Sequence, residues 1–245
     1  MRRYFLAFVF LAGMHTVFAQ RTWMLHSHND YEQDQPFYKA YRLGYSSIEA
    51  DVWLVDGKVL VAHDRAELKA ERSLDALYLR PLDEAVKAGK GKVYSGGKKL
   101  QLMIDIKSAA KPTLDALISE IRRYPSIVRN RQVVITISGS RPPVEEYPSY
   151  PPFIYFDGRP GVTYTEQSLK KVSMISDSYA NYMRGGQLDT GKLRPVLEWV
   201  HARKKPFRLW AHPDHPEGWR QMMELGVDVI NTDRVEELVL FMKGR

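Results

Sequence analysis

The feature that most constrains the fold is an alternation repeated along the chain, in which short apolar runs are followed by longer segments with helical spacing. The apolar runs fall at residues 23–27, 46–54, 100–106, 132–137, 153–156, 172–176, 206–211 and 227–231. Most are rich in Ile, Val and aromatics, as expected of strands buried on both faces of a parallel sheet. Between them, Leu114, Leu117, Ile118 and Ile121 share one helical face after Pro112, and Leu193, Val196, Leu197 and Val200 share another. Trp219, Met222 and Met223 line a third helix, opened by Pro216 and closed by Gly226, the expected punctuation. Residues 141–152 hold five prolines and are expected to cross the fold without a long helix. Strand–helix units in this number predict a single-domain (β/α)8 TIM barrel, with a doubly wound open sheet as the competing arrangement. No G-x-G-x-x-G follows any of the runs, which counts against a dinucleotide site.

The ends and the composition narrow the setting. Arg2 and Arg3 precede an apolar run at residues 4–13, and Thr16-Val17-Phe18-Ala19 follows with small residues where a signal peptidase reads. This pattern predicts a signal peptide over residues 1–19 and a domain over 20–245, exported to the periplasm or secreted. The run falls short of the roughly 20 apolar residues of a membrane span. The chain has no Cys, so the fold is held by its core rather than by disulfides. Its formal charge of +7 falls to +5 when Arg2 and Arg3 are removed. A moderate positive excess fits an anionic substrate or transient contact with an anionic membrane surface. No Lys/Arg stripe interleaved with aromatics stands out, so nucleic acid is not implied.

In a barrel of this kind chemistry belongs at the C-terminal ends of the strands. There the sequence places His26 and His28, Glu49 and Asp51, Asp105 and Lys107, Ser138, Asp157 and Arg159, Asp177, His212, Asn231 and Asp233. Side chains alternate along a strand, so Glu49 and Asp51 face one way while Ile48, Ala50 and Val52 face the other. Two adjacent carboxylates require a shared proton or a bridging cation. Their hard oxygens favour magnesium or calcium. Asp105 shares a face with Lys107 and could supply a third carboxylate, with Lys107 free to meet a phosphate. The competing reading is a plain ion pair between Lys107 and Asp105 or Glu49. His28 and His63 could act as acid and base near neutral pH. Asp233 opens the last helix with capping-box spacing and is expected to cap it. Trp23 and Tyr31 are expected only to close the barrel's bottom and rim.

Together, His28, Pro36, Gly44, Glu49-Ala50-Asp51, Asp56-Gly57 and Val61-Ala62-His63-Asp64 resemble, in order, the motifs of glycerophosphodiester phosphodiesterases. Ile104-Asp105-Ile106-Lys107 is similar to that family's acid-x-Lys strand, and Trp210, Gly226-Val227-Asp228 and Asn231-Thr232-Asp233 to its closing motifs. Ser27-His28-Asn29-Asp30-Tyr31, Glu49-Ala50-Asp51-Val52-Trp53 and Leu77-Tyr78-Leu79-Arg80-Pro81-Leu82 resemble a branch of proteins like phosphatidylinositol-specific phospholipase C. The resemblance implies a TIM-barrel phosphoric diester hydrolase acting on a small-molecule or lipid phosphodiester. It implies His28 and His63 as the acid–base pair, and Glu49, Asp51 and Asp105 as ligands of a divalent cation, Mg2+ or Ca2+. His28 rather than His26 takes the catalytic place by its spacing to Pro36. Asn29 stands at the phosphate where the family has Arg, so Lys107 or Arg159 carries more of the phosphate binding. The Pro-Glu-Asn-Thr box is reduced to Pro36-Phe37-Tyr38-Lys39, which bears on the head group.

Two other readings remain open at this point. His26-x-His28 could open an amidohydrolase-like metal site, with both histidines as ligands of zinc or manganese. A cell-envelope barrel could instead bind a phosphorylated ligand without cleaving it, using aromatics such as Trp53, Tyr155, Tyr179 and Trp210.

Overall fold

A computed structural model describes residues 22–244 of the chain. The export segment expected at residues 1–19 lies outside them. The strands are β1 (Met24–Ser27), β2 (Ser47–Val55), β3 (Lys58–Val61), β4 (Leu100–Ile106), β5 (Val133–Gly139), β6 (Ile154–Gly158), β7 (Val172–Ser178), β8 (Met183–Arg184), β9 (Gln187–Leu188), β10 (Phe207–Trp210) and β11 (Val229–Thr232). The helices are α1 (Tyr38–Arg42), α2 (Arg80–Ala88), α3 (Ala110–Ile121), α4 (Pro125–Val128), α5 (Glu166–Lys170), α6 (Thr190–Ala202), α7 (Pro216–Leu225) and α8 (Val235–Lys243).

Strands β1, β2, β4, β5, β6, β7, β10 and β11 pair in parallel, and β1 bonds both β2 and β11, closing the sheet. The result is an eight-stranded (β/α)8 barrel whose strands coincide with the eight apolar runs. The Pro-rich stretch forms a 3-10 turn at Val144–Ser149 in place of a long helix, as expected. Three strands were not anticipated as such. The pair β8–β9 is a small outer hairpin. Strand β3 folds back antiparallel on β2, with Val52 opposite Val61. Asp56 and Gly57 turn this hairpin with φ of 48° and 75°. Positive φ at both central positions is what a tight two-residue hairpin turn demands, and Asp-Gly meets it at low cost.

Burial divides the apolar residues into two sets. Ile48, Ala50, Val52, Ile104, Ile106, Ile135 and Ile137 point outward and pack with the helices in one large core. Inside the barrel, Met103, Met174 and Val229, with Met24 below them, form a separate small cluster. The rest of the interior is polar and hydrogen-bonded. Gln101 donates to Ser47 Oγ at 2.9 Å and accepts from Thr136 Oγ1 at 2.9 Å. A polar interior beneath the strand ends, with every named partner satisfied, costs little stability and gives a rigid base for a site.

Candidate active site

The alternation read from β2 holds. Glu49 and Asp51 point into the barrel, 5 % and 1 % exposed, while their neighbours face the helices. Asp51 and Asp105 are register partners on β2 and β4. Lys107 Nζ lies 3.0 Å from Asp51 Oδ2 and 2.8 Å from Asp105 Oδ2. Burial works against the lysine's charge, but the two carboxylates outweigh it and raise its pKa. Asp51 is shifted upward by its own burial and by the charge of Glu49.

Glu49 is engaged elsewhere. Its Oε2 accepts from Arg208 at 2.9 Å and from His26 Nε2 at 2.8 Å. Burial opposes ionisation of Glu49, yet the Arg208 guanidinium and His26 hold its carboxyl below the usual range. Arg208 was not anticipated as a site residue. It lies mid-strand on β10, on the face shared with Trp210, and also donates to Asn231 Oδ1 at 2.8 Å. A charged residue on the inward parity of a short barrel strand was the available signal.

Three carboxylates were expected to converge on a divalent cation, and here each is paired with other side chains. Among the described residues, no group of three or more His, Cys, Asp or Glu is arranged to hold a metal. The Lys107 ammonium occupies the position between Asp51 and Asp105, and Arg208 with His26 draws Glu49 away. As arranged, Glu49, Asp51 and Asp105 do not fit a three-ligand cation centre.

The histidines behave differently from one another. His26 is fully buried, and Nε2 donates to Glu49 while Nδ1 accepts from Ser47 Oγ at 2.7 Å. Burial and then the charge of Arg208 push its pKa down to about 4, so it is neutral. With both nitrogens engaged, His26 is a fixed part of the barrel interior, and the His26-x-His28 ligand pair is not formed. His28 stands at the rim with Nδ1 2.7 Å from Asp233 Oδ1. Burial would lower its pKa, but the Asp233 bond and the charge of Glu49 prevail and raise it. His63 places Nδ1 3.0 Å from Asp51 Oδ2. Each of these two rings is thus oriented by a carboxylate on Nδ1, and neither Nε2 has a partner among the described residues.

Asp233 therefore has a role other than the one read from its spacing. Helix α8 begins at Val235 behind Arg234, and no side-chain cap forms. The Asp233 backbone is pinned instead, with N donating to Asp214 Oδ2 at 2.9 Å and O accepting from Gln33 Nε2 at 2.8 Å. Tyr31 is likewise more than a rim residue. Its hydroxyl lies 2.7 Å from Asp51 Oδ2, 2.8 Å from Asn29 Oδ1 and 3.3 Å from His63 Nδ1. Burial and the negative charge of Asp51 hold the phenol firmly protonated. Asn29 sits at φ 44°, a left-handed conformation that Asn tolerates better than most residues. The loop behind it is held by buried Asp30, which accepts from Ser27 Oγ, Phe37 N and Tyr78 OH.

Arg159 and Trp210 meet across the barrel mouth, the guanidinium 4.7 Å from the ring centroid. Arg159 also donates to Asp157 Oδ2 at 2.6 Å, so its charge is already partly engaged. His212 is buried with Nδ1 3.0 Å from Pro213 O, and Nε2 has no hydrogen-bond partner among the described residues. Its pKa is lowered by burial. Asp177 is taken up by Tyr182 and Asn181 in the loop after β7.

A family model described as an AIM6-like phosphodiesterase domain matches residues 19–94, a stretch that includes His28, Glu49, Asp51 and His63. The chain is 27% identical over 267 residues to "Altered inheritance of mitochondria protein 6" of Eremothecium gossypii, covering 89% of this chain and 69% of that protein. Among solved structures it superposes on a glycerophosphodiester phosphodiesterase from Parabacteroides distasonis with TM-score 0.58 at 16% identity, covering 92% of this chain and 99% of the other. A Ca2+-dependent phosphatidylinositol-specific phospholipase C from Streptomyces antibioticus gives TM-score 0.57 at 13% identity, covering 89% of this chain and 96% of the other. At such identities the superpositions establish a shared barrel fold, and the family match covers the first third of the chain, where both rim histidines lie.

Proposed function

We propose that the chain is a phosphodiester hydrolase with His28 and His63 as its acid–base pair. The observation that carries this reading is the matched presentation of the two rings at the C-terminal rim. Each gives Nδ1 to a carboxylate and leaves Nε2 for substrate. A carboxylate on the far nitrogen fixes ring orientation and tautomer, as general acid–base work requires. The match to a phosphodiesterase family model over this region supports the same reading.

In the proposed reaction His63 Nε2 removes a proton from the attacking hydroxyl as its oxygen bonds to phosphorus. The bond to the leaving oxygen breaks, and His28, whose proton is held more tightly by Asp233, protonates that oxygen. The attacking hydroxyl belongs either to water or to a neighbouring carbon of the substrate, giving an open or a cyclic phosphate. Lys107 offers positive charge to the phosphoryl oxygens from between two carboxylates. Asn29 replaces an arginine with a neutral amide, so binding leans more on Lys107. Arg159 reaches the mouth from the other side, stacked on Trp210.

No step in this scheme runs through a divalent cation, because the carboxylates are not disposed as its ligands. The substrate class is a small or lipid phosphodiester. Export of a mature chain beginning near Gln20 is part of the same proposal, and sequencing the N-terminus of protein recovered outside the cytoplasm checks it.

The test is turnover of bis(p-nitrophenyl) phosphate and a panel of glycerophosphodiesters, with EDTA or with Mg2+, Ca2+, Mn2+ or Zn2+ added. Release of alcohol that disappears in both His28→Ala and His63→Ala is expected. Turnover that survives in both variants refutes the assignment. Activity that EDTA abolishes and one hard cation restores would show that Lys107 yields its place to a metal.

A further inference from the structure

The floor of the barrel, on the side away from the histidines, carries a feature the hydrolase reading does not use. A cavity of about 720 Å3 opens there, between the N-terminal ends of β1, β2, β4, β5, β6, β7 and β10. Part of its wall is apolar, from Val133, Phe153, Val172 and Pro206, beside the polar side chains of Ser46, Gln101, Asn130 and Ser173. Its basic lining comprises Lys98, Lys99, Arg129, Arg131, Lys170 and Lys205, and no Asp or Glu lines it. Lys170 pairs with Glu166 at 2.7 Å. The other five form no ion pair with any described residue. Lys98 and Lys205 instead donate to backbone carbonyls, of Gly44 and Val172.

Such an arrangement favours an anionic occupant. Lys98, Lys99, Arg129 and Arg131 stay exposed around an apolar hollow, where like charges repel and no carboxylate of the lining offsets them. Burial lowers the pKa of both Lys98 and Lys205, with no carboxylate to offset it. Residues at this end of a barrel ordinarily serve stability, yet unneutralised cations do not. The volume lies within the range of small-molecule pockets, and an apolar wall with a few convergent polar groups is their usual character. Two arginines in the lining supply the planar donor fork that matches phosphate, and the number of cations suits a dianion.

We propose that this floor cavity binds an amphiphilic phosphate ester. The phosphate lies among Lys98, Lys99, Arg129 and Arg131, and the apolar chain lies against Val133, Phe153 and Pro206. The site is separate from the rim and does not depend on the hydrolase reading.

Isothermal titration calorimetry of the full chain tests it. The probes are dihexanoyl phosphatidate below its micelle concentration, inorganic phosphate, and dihexanoyl phosphatidylcholine. Phosphatidate is expected to bind saturably and at least tenfold more tightly than phosphate, and the zwitterionic lipid is expected not to bind. The double variant Arg129→Glu/Arg131→Glu should weaken phosphatidate at least tenfold while its melting temperature and its turnover of bis(p-nitrophenyl) phosphate match the parent's. Should that variant not fold, Lys99→Glu gives the same readout with both arginines kept. Binding unchanged in the charge-reversed protein overturns the proposal, as does phosphate binding as tightly as phosphatidate. Co-sedimentation with phosphatidate-containing vesicles, lost in the variant, would assign the ester to a membrane. Binding of the monomer without co-sedimentation would assign it to a soluble metabolite.

Discussion

Asp233→Asn tests the acid–base assignment most directly, because it changes one charge and leaves the backbone held. Asp214 and Gln33 bind the main chain of Asp233, so the loop is expected to stay in place. The substitution removes the charged acceptor from His28 Nδ1, at present 2.7 Å away. A hydrogen bond to a charged group contributes roughly 1.5–3 kcal/mol when buried. Here the Asp233 side chain is 58 % exposed and that of His28 29 %, so water screens the pair. About 1 kcal/mol is then left to lose. At about 1.36 kcal/mol for each factor of ten, that is roughly a fivefold drop in kcat. The sign of the pH effect is also fixed. The Asp233 bond helps to raise the pKa of His28, so its removal lowers that pKa. A general acid loses activity as it deprotonates, so the alkaline limb of the kcat profile should move to lower pH. The assay is bis(p-nitrophenyl) phosphate turnover across the pH range, with thermal melts confirming an intact fold. An unmoved alkaline limb with parental kcat would refute the role given to the pair. A loss as large as that of His28→Ala would show that the screening argument is wrong.

Other outcomes follow from the same geometry. His28→Ala should reduce kcat on the order of a hundred- to ten-thousand-fold, the usual range for a lost general acid or base, with little change in melting temperature. Arg208→Ala leaves Glu49 buried without its counter-charge and should destabilise the fold by about 3–5 kcal/mol, read from urea midpoints; a loss under about 1 kcal/mol would mean Glu49 finds another partner. His26 has its folded pKa depressed from 6.5 to about 4, first by burial and then by Arg208. Its contribution is therefore fully present above pH 6.5 and lost as pH falls through 4, roughly 3 kcal/mol in all. His26→Gln should flatten the stability profile in that window, and an equally steep profile would contradict the reading. Gly139 has φ +67°, and a Cβ there would lie 2.4 Å from Ile106 O and 2.9 Å from Asp105 Oδ2. Gly139→Ala should thus cost about 1–3 kcal/mol and disturb the Asp105–Lys107 pair, measured as a lower melting temperature together with weaker substrate binding.

The barrel was written in local pattern. The apolar runs are long enough and β-branched enough to be strands, and the helices between them carry their own periodicity and punctuation. Alternation along β2 alone placed Glu49 and Asp51 inside and Ile48, Ala50 and Val52 outside. The β2–β3 hairpin was also legible, since Asp56-Gly57 between apolar runs is a strong turn signal, although it was read only as part of a motif. Spacing alone misled at Asp233, because a good N-cap residue is equally a good partner for a distant histidine. Local sequence does not reveal which of the two it meets.

The sequence by itself determined the number and order of the barrel strands, the face their side chains take, and the histidines and acids gathered toward their C-terminal ends. Only the tertiary structure decided how those groups are paired. Closure of the sheet brings Arg208 of β10 across the barrel to Glu49 of β2, and register sets Asp51 beside Asp105 with Lys107 between them. The return of β3 carries His63 back to Asp51, and the loop after β11 brings Asp233 to His28. The physical reason is range. Strand and helix patterns are fixed by neighbours a few residues apart, whereas charges pair with whatever partner the closed barrel places within hydrogen-bonding distance.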